Sequence, residues 1–494
     1  MRGRKNPISL DEIRESGIEH NVGYNIRDFR VISIKDQHHS TVGKIELIPE
    51  SEIDTTSKIT KVSFKIHTTV PREDSRSTEP YEILHRREEA NLIALTRTPS
   101  TRPMVPKYLG RITRREDERY VFFTEDLGEI SAREEFQSLE DRLRGGRNKR
   151  AKTIVEGTKR NMLRERAKNI AKFNGRCHAH RTQIIGNFHG FIEEPLDACI
   201  NKRKLQEKRF VKYAAIVDHY WNVRKRGKSQ EKLDTDEKIE EYIEVMNNKR
   251  FGFDFKAKVR DIFEKLYVAL GITTDPRSRI RLQFGDCRLQ HDFNGRFCDL
   301  EDFGYYPWYQ DLMTYTSAEI SIPRINDIPR FIVDYLLYNK AYSSKSGTHT
   351  ISDIEERGKL KHQRETEKLL SESFDREEIA DFSMGYITGL LIENCLIQDG
   401  INKKYSRRLL RHFYPGLHIN EIHTMKMERT KAIYHNIISE SGGFRLPLVY
   451  CSNRRLMKEC LYEIGNIMRE ISPTEIPGLD KLANGRSSAW SGIL

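Results

Sequence analysis

The chain has 494 residues, 32% of them charged and 37% hydrophobic, with a formal net charge of +12. That length supports roughly two to four compact units with sizeable cores, and the charge either favours anionic partners or dresses a solvated surface. The seven cysteines are scattered with no CxxC pair, which argues against a disulfide framework and a structural zinc site and for a reducing compartment. No apolar run reaches the length of a membrane span. The basic start, MRGRKNPISL, lacks the apolar core of a secretory signal. The expectation is a cytoplasmic protein without a membrane partner.

Residues 1–27 show no clear period and read as an N-terminal extension. From Asp28 the pattern turns to strands: DFRVISIK and VGKIELI flank the polar turn from Asp36 to Thr41, as a hairpin requires. A third strand, KVSFKIHTT, carries Lys65 between Phe64 and Ile66; the period of two sends those neighbours to the opposite face. The next segment, EILHRREEANLIALTR, sets Leu84, Leu92 and Leu95 on one apolar helical face. Glu88 lies one turn before Leu92, with Glu89 as a competing carboxylate beside it. After the link RPMVPKYLG, Tyr120 to Phe123 reads as a buried strand and Thr124 to Gly128 as its polar exit.

Residues 132–180 are basic and mostly helical in pattern, with a break at Gly145-Gly146. The charge run is a solvated helical face or a surface for an acidic substrate or nucleic acid; sparse aromatics favour the first. Cys177-His178-Ala179-His180 has no second ligand cluster to complete a metal site. Residues 200–275 carry three more helical patterns, and Tyr213, Ile216, Val217, Tyr220 and Trp221 fall at core spacing there. From Asp311 to about residue 470 the chain stays helical in pattern, and its tail from Pro473 is rich in Gly and Ser.

The most informative stretch is 281–313, RLQFGDCRLQHDFNGRFCDLEDFGYYPWYQDLM. Asn294-Gly295 is the dipeptide of a type I′ turn, whose central residues both need positive φ. His291–Phe293 and Arg296–Cys298 should pair as a hairpin, drawing Asp286 and His291 toward Asp299 and Asp302. Such a carboxylate cluster is ordinarily stabilised by a cation, often Mg2+.

This stretch resembles the catalytic segment of the aminoglycoside phosphotransferase and choline kinase group, small-molecule relatives of protein kinases. Gly285-Asp286 stands where that group begins its catalytic loop, with Phe284 replacing the usual His. His291 takes the second metal position, usually Asn, five residues after Asp286. Asp299-Leu300-Glu301 matches the metal motif, and Asp311-Leu312 follows at the family's twelve-residue spacing. Asp302-Phe303-Gly304 offers a second register, so Asp302 stays a candidate metal ligand beside the favoured Asp299.

The resemblance implies an α+β, bilobal protein-kinase-like fold: an antiparallel-sheet N-lobe at 28–128 and a helical C-lobe with insert at 129–330. Residues 331–494 would be the helical remainder of the C-lobe or an extension. Asp286 would be the catalytic base, with Arg288 beside it facing an anionic group. Lys65, held by Glu88, would bind ATP phosphates. Ser40 and Thr41, in a turn without the usual glycines, would donate to phosphate. Glu125 and Leu127, in the EDLG run at the hinge, would read adenine. Asp311 would brace the catalytic loop, and the helices around Tyr220 and Trp221 would shape the acceptor pocket. The implied function is Mg2+-dependent transfer of the ATP γ-phosphate to a hydroxyl of a small-molecule acceptor. The alternatives are a nucleotide-binding pseudokinase and a regulatory or nucleic-acid-binding protein on the same fold.

Overall fold

The computed structural model describes residues 8–36, 40–51, 59–68, 81–114, 119–128, 130–145, 149–187, 280–285, 287–300, 303–318 and 328–343. It also describes residues 370, 372–375, 378–379, 382 and 386. The helical patterns expected at 200–275 and beyond 386 lie outside these residues, Tyr220 and Trp221 among them. The chain is mixed α+β and divides into two compact units: Met1–Glu140 with His180–Ala198 and Leu289–Phe303, and Asp141–Ala179 with Cys199–Arg288 and Gly304–Leu494.

In the first unit five strands form an antiparallel sheet in the order β1-β2-β3-β5-β4. They are β1 (Ile26–Asp36), β2 (Ser40–Pro49), β3 (Lys61–Thr68), β4 (Tyr108–Arg114) and β5 (Arg119–Glu125). Alternation decides what each face carries. Ile45, Leu47, Val62, Phe64, Ile66, Val121 and Phe123 are buried in one core together with Ile13, Ile18 and Val22. The last three come from α1 (Leu10–Glu15) and α2 (Ile18–Val22), so the stretch expected to be an extension closes one face of the sheet. Lys65 points the other way, opposite Val42 on β2 and Phe122 on β5.

Two glycines are explained by close approach. A Cβ on Gly43 would lie 2.1 Å from the ring of Phe64, its cross-strand partner; the residue behind the expected phosphate turn therefore serves sheet packing. A Cβ on Gly110, whose φ is +151°, would lie 2.3 Å from the Ser16 carbonyl oxygen. There the Arg111 N–H donates to that same carbonyl at 3.2 Å and ties β4 to the N-terminal helices. The Pro-containing stretch RPMVPKYLG reads as a link, and the structure starts β4 inside it, at Tyr108. Helix α3 (Tyr81–Arg97) connects β3 toward β4, and α4 (Ala132–Gly145) follows β5.

The second unit is organised on α5 (Lys149–Ala179), with β6 (Ile280–Gln283) paired antiparallel to a strand at Gly304–Pro307. Two more helices follow, spanning Gln310–Ala318 and Ile328–Ser343. Trp308, Tyr335 and Phe382 interlock in the core, with the Trp308–Phe382 centroids 4.9 Å apart and edge-on.

The cations of α5 are answered in register by the 328–343 helix. Arg164 pairs with Asp334 at 2.8 Å, Lys168 lies over the Tyr338 ring, and Lys172 and Arg176 lie over Tyr342. Gly175 permits this contact, since a Cβ there would sit 2.7 Å from the Asn339 carbonyl oxygen and 2.9 Å from Tyr342 Cβ. Gly175→Ala is therefore expected to destabilise the protein by about 1–3 kcal/mol despite alanine's better helix propensity. Urea denaturation midpoints measure it, and a stabilised variant would contradict the close crossing. Among the described residues no helix is long and apolar enough to cross a membrane.

Candidate active site

The site grows from a lysine that the sheet cannot bury alone. The β-period holds the Lys65 side chain on the face away from the α1/α2 core, where its Nζ donates to Glu88 Oε2 at 2.7 Å and Asp299 Oδ1 at 2.8 Å. Glu88 is buried on α3. Asp299 arrives by a tight hairpin, η-turn Leu289–His291 leading into β7 (Asp292–Phe293) and β8 (Arg296–Phe297).

At the tip Asn294 and Gly295 have φ of +57° and +84°, the signs a type I′ turn needs. The Gly295 N–H donates to Asp292 Oδ1 at 2.7 Å, and the Cys298 N–H donates to the His291 carbonyl at 3.0 Å. The hairpin thus returns Asp299 to His291, whose Nε2 lies 3.1 Å from Asp299 Oδ2. Asp299 itself has φ +61°, a region that L-residues other than Asn, Asp and Gly seldom enter and that clusters at functional sites. The backbone just beyond is held by Asn91, whose Nδ2 donates to the Leu300 carbonyl at 2.7 Å. Asn91 was not foreseen; its one signal is a buried amide in an apolar helical run, three residues after Glu88 and so on the same face.

Burial works to raise the Asp299 carboxyl, but the Lys65 ammonium and then His291 outweigh it and hold the group well below the usual carboxylate range. Burial, with the Asp299 and Glu88 charges adding to it against Lys65, pushes the Cys298 thiol far up, so that thiol stays protonated beside the site.

Glu89 takes a different direction from its neighbour. Its carboxylate accepts from the Tyr108 and Tyr120 hydroxyls and from Arg111 Nη1. Burial first and Glu89 second push both tyrosine hydroxyls well above their ordinary value. The competition between Glu88 and Glu89 is thereby decided: Glu88 faces β3, and Glu89 pins α3 to β4 and β5.

At the end of β5 the Glu125 N–H donates to the Lys107 carbonyl at 2.9 Å. The Glu125 carboxylate takes a bidentate pair from Arg296 at 3.0 and 2.6 Å. Burial works to raise Glu125, and Arg296 overrides it and lowers the group. Leu127 is half-buried just beyond. Lys44 Nζ donates to the Gly128 carbonyl and pairs with Asp126 at 2.8 Å, and the Ser63 hydroxyl donates to the same Asp126 oxygen. Residues 126–128 are thus laced to the Lys65 face of the sheet, again unforeseen. Thr41 is half-buried opposite Ile66 on β2, and Ser40 opens that strand, its side chain outside the description.

The second unit holds the rest of the candidate machinery. Asp311 accepts from the Phe284 and Gly285 N–H groups at 2.7 and 2.8 Å and from Asn174 Nδ2 at 2.8 Å. It fixes the backbone immediately before residue 286. Arg288 is half-buried; Asp286 and Asp302 lie outside the described residues.

Lys65, Glu88, His291 and Asp299 are therefore brought together within the first unit. An ammonium balanced by two carboxylates can turn to an incoming polyanion when a cation compensates one of them. Among the described residues no group of three or more His, Cys, Asp or Glu side chains is disposed around a metal position. Lys65 separates the two carboxylates, Glu88 and Asp299, and beside Asp299 stands one imidazole, His291. Mg2+ is a hard ion that takes oxygen at near-ideal octahedral geometry, so Asp299 fits it and His291 does not. Compared with protein-family models and with curated proteins, the sequence matches none.

Proposed function

We propose that the chain is an ATP-dependent phosphotransferase of bilobal, protein-kinase-like architecture that phosphorylates a hydroxyl of a small-molecule acceptor. The observation that carries the reading is the Lys65 ammonium donating both to a helix glutamate and to the aspartate after the hairpin, at 2.7 and 2.8 Å. Those residues lie 23 and 234 positions away in sequence, so chance proximity along the chain does not produce the arrangement. Lys65 holds phosphate oxygens, and Glu88 fixes its direction. Glu125 and Leu127 flank the base-reading edge, and Ser40 and Thr41, at the start of β2, stay the phosphate-donor candidates. Asp286 takes the proton of the acceptor hydroxyl, with Arg288 steadying an anionic oxygen. Asp299 holds the divalent cation, which when bound supplies charge neutralisation.

A pseudokinase is the second reading, favoured by one observation: both Asp299 oxygens already have protein partners, Lys65 and His291. The nucleic-acid reading is weakened because Arg164, Lys168, Lys172 and Arg176 are engaged by the 328–343 helix.

Melting curves of the full chain test the proposal. A non-hydrolysable ATP analogue with a divalent cation is expected to raise the melting temperature by several degrees, as about 2.7 kcal/mol at a hundredfold excess over Kd implies. Asp299→Ala should lose the cation-dependent part. A rise indifferent to the cation, with no ADP release from ATP, supports the pseudokinase instead; no rise at all ends both.

A further inference from the structure

Strand β1 ends the N-terminal sheet, with β2 on one side and, among the described residues, no strand on the other. Such an edge offers a row of backbone donors and acceptors to another strand. A bulge sets its two faces. The register with β2 shifts between Val31 and Ser33, so Ile32 is the extra residue. Phe29 and Val31 before the bulge and Ile34 after it all pack against the same core. Asp28, Arg30, Ser33 and Lys35 are exposed, on the other face by alternation. Ile32 is 44% exposed beside the kink. The Phe29 N–H donates to the Asp28 carboxylate at 2.8 Å, which leaves that carboxylate capacity for further donors.

Two copies of an edge strand join antiparallel about a two-fold axis perpendicular to the sheet. Each face then stays on its own side, and paired residues must come from the same face. An unbroken strand meets itself only in registers whose paired numbers differ by an even count. The bulge in β1 shifts that condition by one residue. It admits the register in which Asp28 faces Lys35, Phe29 faces Ile34, Arg30 faces Ser33, and Val31 meets Ile32 at the axis. Each pair occurs twice. An outer carboxylate then meets an outer ammonium, and the Phe29–Ile34 pairs extend the apolar face from one copy to the other. Sliding the strands by one residue opposes inner and outer faces across the bulge. Sliding by two sets Arg30 against Lys35 in one direction and Asp28 against Ser33 in the other.

We propose that β1 is a self-association edge, through which two copies of this chain join strand to strand in that register. Charges and a bulge ordinarily blunt an edge against pairing; here they leave one self-complementary register open. A strand pair of this length is small beside the roughly 1,200–2,000 Å2 of an ordinary stable interface, so the dimer should dissociate on dilution. None of these residues belongs to the proposed catalytic machinery.

Sedimentation velocity of the full chain over a dilution series tests this, and a monomer–dimer equilibrium is expected. Asp28→Lys and Lys35→Asp should each weaken the dimer about tenfold or more, because like charges then face each other at two places. An equimolar mixture of the two variants should recover the dimer, since every altered position then meets its opposite charge. A chain that stays monomeric at every concentration, a dimer indifferent to both substitutions, or a mixture of folded variants that stays monomeric overturns the proposal. Should either variant fail to fold, hydrogen exchange on the unsubstituted protein decides: amides of residues 28–35 should gain protection as concentration rises. Amides protected at every dilution in a monomer would mean that another segment of the same chain covers the edge, which also overturns the proposal.

Discussion

Lys65→Met is expected to abolish nucleotide-dependent stabilisation and to destabilise the unliganded protein by on the order of 3 kcal/mol. The reason is what the lysine leaves behind. Glu88 is 4% exposed, and a carboxylate so placed has little solvent to replace an ammonium at 2.7 Å. Breaking one side of a buried pair is much worse than replacing both. The double variant Lys65→Met/Glu88→Gln should therefore regain most of the lost stability while remaining unable to bind nucleotide. Urea midpoints for the two single variants and the double give the coupling energy, and the nucleotide-induced melting shift reports function separately. A Lys65→Met protein that melts normally and still responds to nucleotide would sink the assignment of this lysine.

The same assembly sets an acid limit with a definite sign. Asp299 has its pKa depressed in the folded protein, chiefly by Lys65 against the opposing effect of burial. Its contribution is then fully present above the unfolded carboxylate value of about 3.9 and is lost as pH falls below that toward the folded value. Lys65→Met removes the main cause, so its stability should fall less steeply than wild type over that acid range.

What the sequence disclosed follows from how local each signal is. The hairpin was readable because Asn294-Gly295 fixes a turn by itself, and Lys65 was readable because Phe64 and Ile66 must face the core. The choice between Glu88 and Glu89 was not readable. Neighbouring helix positions differ only in what stands opposite them, and the deciding groups, Tyr108, Arg111 and Tyr120, lie 19 to 31 residues downstream. The Arg296–Glu125 pair spans 171 residues and leaves no trace in either local pattern. Helices α1 and α2 are 6 and 5 residues long, too short to complete an amphipathic period. Yet Ser9 and Glu12, which form a capping box, offered a start signal. Why Gly43 must be glycine is equally hidden from the local pattern, because the ring that fills its Cβ position belongs to Phe64 on the next strand.

Asp311 should prove a costly position among the described residues of the second unit. Its carboxylate is fully buried and receives the Phe284 N–H and Asn174 amide on one oxygen and the Gly285 N–H on the other. Its own N–H donates to Gln283 Oε1 at 3.1 Å, so side chain and backbone both grip the 283–285 segment. Burial first, with the Asp311 charge adding to it, pushes the Cys177 thiol and the Tyr335 hydroxyl well up, so neither neighbour carries a competing charge. Asp311→Asn puts an N–H against at least one donor and should cost about 2–3 kcal/mol; Asp311→Ala strands all three donors and should cost about 4 kcal/mol or more. Hydrogen exchange separates this from a general loss of stability: amides of Phe284 and Gly285 should lose protection in conditions where the α5 core keeps its own. Because Asp286 directly follows Gly285, turnover should fall further than the stability change explains. On the phosphotransferase reading the nucleotide-dependent melting shift, assigned to Lys65 and Asp299, should persist. Equal loss of turnover and nucleotide binding would instead mean that the aspartate merely holds the unit together.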